Sequence, residues 1–137
     1  MKRKATAVWN GDIESGSGHL TTQSNALDKV KYSANSRFSD GKGTNPEELI
    51  AAAHAGWFTL KLDLDLTEAG YEVESLETSS HVTIKDGTIT LSELSLEADV
   101  PGISDDKFQE MAQSAKENCP VSKGLSFEIQ LSAKLKS

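Results

Sequence analysis

The segment Gly43-Thr44-Asn45-Pro46-Glu47-Glu48-Leu49-Ile50-Ala51-Ala52-Ala53-His54-Ala55-Gly56-Trp57-Phe58 constrains the fold more than any other part of the chain. Asn45 can accept hydrogen bonds from the free N–H groups that open a helix. Pro46 suits the first turn, where a missing N–H leaves nothing unpaired. Glu48, three residues after Asn45, has the spacing of a capping box, and with Glu47 it sets negative charge at the positive end of the helix dipole. From Leu49 to Phe58 every residue is apolar or small except His54. A helix with one side in water carries charge on that side, so the front half of this one is expected to be covered on most sides.

The helix is expected to start at Asn45 and to end near Gly70, a residue suited to the position just past a helix C-terminus. Leu60-Lys61-Leu62-Asp63-Leu64-Asp65-Leu66 alternates with a period of two, which alone would argue for a strand. No turn signal separates it from the capped start, however, and Ile50, Ala53, Trp57, Leu60 and Leu64 continue a helical stripe. Helix is therefore the reading. Lys61 and Asp65 are spaced to pair across one turn.

Around this helix the pattern is mostly that of strands. Residues 4–9, 19–24 and 29–33 read as three strands, the first two joined through Asn10-Gly11-Asp12 and the Ser/Gly run that follows. Residues 34–44 read as a loop that carries Arg37. A strand over 76–84 turns at Asp86-Gly87 into a second, whose apolar parity changes between Leu91 and Leu94 and so predicts a bulge near Ser92-Glu93. Ser104 caps a helix running to about residue 118, with Phe108, Met111, Ala112 and Ala115 on one face; Pro120 then interrupts the chain. Residues 127–135 alternate cleanly and form the last strand. The expected architecture is one α+β domain over residues 1–137, with helices packed on antiparallel sheet.

Composition removes several classes of function. The formal charge of −7 argues against sequence-independent nucleic-acid binding and against docking on anionic lipid. No apolar run is long enough for a membrane span, and the start Met1-Lys2-Arg3-Lys4 lacks the apolar stretch of a signal peptide, so the cytoplasm is the expected location. A single cysteine excludes an intrachain disulfide. The histidines His19, His54 and His81 have no metal-ligand spacing, and no phosphate-loop or dinucleotide signature is present. Neither a metal nor a cofactor is expected.

Longer motifs carry a resemblance. Arg37-Phe38-Ser39-Asp40-Gly41-Lys42-Gly43-Thr44-Asn45-Pro46-Glu47-Glu48-Leu49, the Ala-Ala-His-Ala run ending at Ala55, and Cys119-Pro120-Val121-Ser122 resemble the OsmC/Ohr family of bacterial organic-hydroperoxide reductases, in its OsmC branch. Trp9-Asn10-Gly11-Asp12 and Val100-Pro101-Gly102-Ile103 extend the likeness over essentially the whole chain. The resemblance implies an OsmC/Ohr-like α+β fold, with antiparallel sheet wrapped on a long central helix, and an intertwined homodimer with active sites at the subunit boundary. It implies a thiol peroxidase of oxidative and osmotic stress defence. Its substrate would be an organic hydroperoxide or another apolar small molecule, and its reductant a dithiol such as a lipoylated protein.

The resemblance assigns roles by position. Arg37 would activate the attacking thiolate and orient the peroxide, and Glu47 would hold the Arg37 guanidinium. Cys119 would be the resolving cysteine. The peroxide-attacking cysteine belongs where this chain has Trp57, and an indole cannot attack an O–O bond. The chain is therefore expected to be inactive or impaired. The alternatives are a non-catalytic homodimer that binds an apolar ligand, and a weak peroxidase using Cys119 alone. Trp57 itself reads as a core aromatic filling the lost site, as a wall of an altered ligand site, or as an engineered replacement. His54, one turn earlier, reads as a packed, hydrogen-bonded histidine. Core packing is the expected role of Trp9, Phe38, Phe58, Tyr71 and Phe108.

Overall fold

The computed structural model describes residues 1–34 and 43–136. Arg37 and Phe38 lie outside the described residues. The chain divides into two compact units, Met1–Leu49 and Ile50–Ser137.

The first unit contains a three-stranded antiparallel sheet of β1 (Ala5–Asn10), β2 (Ser17–Thr22) and β3 (Val30–Tyr32), in that order. The three expected strands are present. Asp12 closes the first turn by accepting from the backbone N–H groups of Glu14 and Ser15, and from Ser15 Oγ. These bonds, with the Ser15 backbone foremost, hold its carboxyl below the usual carboxylate range. Trp9 packs edge-on against Tyr32 across β2, with ring centroids 5.5 Å apart.

The long helix α1 (Pro46–Glu68) begins as its sequence dictates. Asn45 Oδ1 accepts from Glu48 N at 2.7 Å. Glu48 accepts from Thr44 Oγ1, also at 2.7 Å, which brings the residue before the cap into the same arrangement. At the other end Gly70 takes φ +94°, and the backbone closes with Gly70 N donating to Thr67 O and Tyr71 N donating to Leu66 O. Those two bonds form a Schellman motif, and Tyr71, the second residue beyond the helix, packs against the buried core. Residues 60–66 are helical, and Lys61 Nζ lies 2.8 Å from Asp65 Oδ1.

The second unit holds β4 (Ser75–Lys85), β5 (Thr88–Asp99), α2 (Asp105–Asn118), α3 (Pro120–Gly124) and β6 (Glu128–Leu135). Asp86 and Gly87 both take positive φ, as a tight hairpin turn requires, and join β4 to β5. The sheet order is β4-β5-β6. Its β5–β6 pair is parallel, so the second sheet is mixed rather than the expected antiparallel one. The reason is the connection: two helices, α2 and α3, separate β5 from β6, and a crossover of that length returns the chain in the same direction.

The bulge also differs from expectation. Thr83 pairs with Leu91 and Ile84 with Ile89, which leaves Thr90 as the extra residue, before Ser92-Glu93. From Ser92 onward the even-numbered side chains point inward: Ser92, Leu94, Leu96 and Ala98 of β5, and Val100 just after it, are all buried. Ser92 is thus a core position occupied by a hydroxyl, and this displaced the apparent phase change.

Phe58, Leu62 and Leu66 of α1, the inward side chains of β5, and Phe108, Ala112, Ala115 and Cys119 make one buried cluster. The stripe of α1 that packs inward is therefore His54, Phe58, Leu62 and Leu66. The stripe expected from the sequence runs through Ile50, Ala53, Trp57, Leu60 and Leu64; Ile50 is half-buried and the other four are exposed. Trp57, Leu60 and Leu64 keep 43%, 61% and 51% of their surface. Both stripes are apolar at helical spacing, so periodicity alone could not choose between them. Trp57 is consequently not a core filler within this chain.

Candidate functional site

Three separate segments build a buried polar chain in the second unit. His54 comes from α1, Ser92 from β5, and Ser122 from α3. His54 Nδ1 lies 2.7 Å from Ser92 Oγ and Nε2 lies 3.0 Å from Ser122 Oγ. Ser122 Oγ lies 3.0 Å from Cys119 Sγ, and Ser92 Oγ lies 2.9 Å from Ser80 Oγ on β4. The result is a continuous sequence of side chains, Ser80–Ser92–His54–Ser122–Cys119. His54, Ser92 and Cys119 are fully buried.

Local structure explains each placement. Ser80 is opposite Leu94, and Ser92 opposite Val82, so the two serines are diagonal neighbours on one sheet face. Cys119 ends α2, its N–H donating to Ala115 O, and simultaneously caps α3, where Pro120 takes the first helical position. The Cys119 sulfur accepts from Ser122 N at 3.4 Å, the bond an N-cap side chain normally makes. Thr59 adds a second polar tie between α1 and the sheet, donating to Ala55 O and to Thr78 Oγ1, each at 2.7 Å.

Desolvation lowers the His54 pKa, so the imidazole is neutral at pH 7. Its ring also meets Phe127 edge-on, at 6.4 Å between centroids. A neutral imidazole donates from one nitrogen and accepts at the other. His54 therefore connects its two serines asymmetrically, as donor to one and acceptor from the other.

The residues singled out from the sequence distribute as follows. Cys119 is in this chain of contacts. His54 is packed and hydrogen-bonded, as its sequence context suggested. Trp57 follows one turn later on the exposed side of α1. Glu47 lies in the first unit, in the first turn of α1, with one carboxylate oxygen shielded from solvent. Arg37 lies outside the described residues. Sequence reading missed Ser80, Ser92 and Ser122. Ser92 did leave a signal, because it occupies the inward parity of an otherwise apolar run. Ser122 stands three residues after Cys119, the spacing of a capping bond. Among the described residues, no group of three or more His, Cys, Asp or Glu is placed to hold a metal.

The OsmC-like protein family matches residues 39–134. Peroxiredoxin OsmC of Escherichia coli (strain K12) is 42% identical over 141 residues, covering 100% of this chain and 99% of the relative. The chain belongs to the OsmC family. Organic hydroperoxide resistance protein OhrB of Bacillus subtilis (strain 168) is 29% identical over 123 residues, covering 87% of this chain and 89% of its own length. Two solved structures extend the likeness to the fold. The OsmC-like protein from Mycoplasma pneumoniae superposes with TM-score 0.77 at 17% identity, covering 98% of this chain and 97% of that one. B. subtilis OhrB gives 0.67 at 26% identity, covering 97% and 98%. The α+β, OsmC/Ohr-like architecture is thus shared across wide sequence distance.

Proposed function

We propose that this OsmC-like chain belongs to organic-hydroperoxide defence, and that its own peroxide turnover is strongly impaired. The observation that carries the reading is Trp57. The family resemblance puts the attacking sulfur at this position, and the one cysteine in the chain, Cys119, is elsewhere and buried. Peroxide reduction by a thiol needs a thiolate that attacks one oxygen and expels the other as an alcohol, leaving a sulfenic acid. A second thiol then forms a disulfide with that sulfur, and a dithiol, such as a lipoylated protein, reduces it. With one cysteine in the chain that internal disulfide cannot form.

The test is consumption of cumene hydroperoxide in the presence of a dithiol. The unaltered protein is expected to be slow and Trp57→Cys faster, with Arg37 and Glu47 then serving the restored thiolate. Fast turnover by the unaltered chain would refute the reading. The contact between Cys119 Sγ and Ser122 Oγ supports a second reading, a weak peroxidase in which Cys119 forms the sulfenic acid and an external dithiol supplies both electrons of its reduction. Residual turnover that survives Cys119→Ser would eliminate it.

A homodimer is part of the same proposal. The apolar stripe of Trp57, Leu60 and Leu64 is exposed on the single chain, and a second copy presents the same self-complementary surface. Leu60→Asp combined with Leu64→Asp should then yield monomers in sedimentation, and a monomeric unaltered protein would contradict the proposal. An apolar pocket at that boundary would suit a fatty hydroperoxide or other apolar small molecule, detectable by native mass spectrometry. The proposed location is the cytoplasm, whose reducing conditions suit an unpaired thiol; cell fractionation tests this. Among the described residues, no helix is long and apolar enough to cross a membrane.

A further inference from the structure

Ser80–Ser92–His54–Ser122–Cys119 is a buried polar chain that packing does not require. An apolar core with hydrocarbon at positions 54, 80, 92 and 122 would avoid the desolvation of every group in it. Its hydrogens have two complete and opposite arrangements. In one, the Cys119 thiol donates to Ser122 Oγ, Ser122 O–H donates to His54 Nε2, Nδ1–H donates to Ser92 Oγ, and Ser92 O–H donates to Ser80 Oγ. In the other, every donor and acceptor is exchanged. Ser80 O–H then donates to Ser92, Ser92 O–H to Nδ1, Nε2–H to Ser122 Oγ, and Ser122 O–H to the sulfur. The first arrangement suits a thiol. The second suits a thiolate, which also accepts from Ser122 N.

We infer that Ser122 and His54 are positioning residues that set the ionisation of Cys119, and that the chain carries its proton to the edge of the core at Ser80. Ionisation breaks the S–H bond and passes that proton to Ser122 Oγ. The Ser122 proton moves to Nε2, the Nδ1 proton to Ser92, the Ser92 proton to Ser80, and the Ser80 proton to water. One proton leaves, a thiolate remains, no electron is transferred, and the first arrangement has become the second. Ser80 is only half-buried, so it meets solvent where Cys119 does not. The geometry is continuous: the contacts are 3.0, 3.0, 2.7 and 2.9 Å from sulfur to Ser80. The side chains recorded against His54 are Ser92 of β5, Ser122 of α3 and Phe127 before β6, and none of them is charged. Through Ser122 and His54, the proton on Cys119 is therefore coupled to hydrogen-bond direction along the chain. The inference deepens the reading of Cys119 as the remaining redox sulfur. It concerns protonation only, so each can fail without the other.

The test follows thiolate ultraviolet absorbance against pH, with Cys119→Ser as the blank. Ser122→Ala and His54→Leu are each expected to raise the pH of half-ionisation by about one unit, an approximately tenfold smaller thiolate population at a given pH. Because His54 acts through Ser122, the double variant should shift no further than Ser122→Ala alone. Unmoved midpoints, or single shifts that add, would overturn the inference. Nitrogen NMR of the unaltered protein gives an answer even if a variant fails to fold. Nε2 of His54 should change from acceptor to N–H donor with the same midpoint as the thiolate. A His54 tautomer that stays fixed through that titration would also overturn it.

Discussion

Replacing Ser92 with alanine removes one hydroxyl from the centre of the buried polar chain. Its first consequence is at His54. The Nδ1 atom loses the partner at 2.7 Å, in a site where the ring has no exposed surface. Leaving one such group unsatisfied costs about 1–3 kcal/mol. The Ser80 hydroxyl also loses a contact, but Ser80 is half-buried and water can replace it, so little is added there. The expected destabilisation is therefore about 2 kcal/mol. At about 2.1 cal/mol/K per residue, a chain of 137 residues has an unfolding entropy near 0.29 kcal/mol/K, which converts this to a fall in Tm of about 7 °C. Urea unfolding at fixed protein concentration measures it directly, since any self-association makes stability concentration-dependent. Ser95→Ala, on the exposed face of the same strand, is the control and should stay within about 0.5 kcal/mol of the unaltered protein. Adding His54→Leu to Ser92→Ala should cost less than the sum of the separate changes, because both partners are then gone. If Ser92→Ala cannot be distinguished from Ser95→Ala, the buried chain does not contribute as argued.

Three further outcomes follow from the same structure. Phe58→Ala, at the centre of the buried cluster, should cost about 3–5 kcal/mol in the same unfolding assay. Gly70→Ala should cost about 1–2 kcal/mol from backbone strain at φ +94° alone, because no atom lies within 4 Å of the added methyl; a neutral result would mean the helix end has another conformation. The lowered His54 pKa makes stability fall as pH drops below the unfolded-state value of about 6.5, where the unfolded chain binds a proton that the folded one does not. The slope is at most about 1.4 kcal/mol per pH unit, and the loss levels off below the folded-state pKa; His54→Leu should flatten this part of a calorimetric pH series.

Much of the architecture was legible because local chemistry and global position agree. Asn45-Pro46 opens the long helix and Gly70 closes it, each for a backbone reason that needs no neighbour. Asp86-Gly87 turns the hairpin for the same kind of reason. What failed were decisions that depend on partners far along the chain. The inward side of α1 was ambiguous because Phe58-Leu62-Leu66 and Trp57-Leu60-Leu64 are equally apolar, and only the placement of β5 decides between them. The direction of β6 depends on how α2 and α3 cross the sheet, which clean alternation over residues 127–135 does not encode. The polar chain escaped notice because serine on a strand ordinarily signals a solvent-facing position. Ser92 has that identity on the opposite face.

The three residues at the middle of that chain come from remote places. Ser92 is 38 residues from His54, and Ser122 is 68 residues from it. No local fragment can assemble the imidazole's surroundings; helix, hairpin and crossover must all have docked first. The His54 ring signals should therefore report completion of folding. A truncated or partly denatured chain would retain helical signal while showing an imidazole that titrates as in open water.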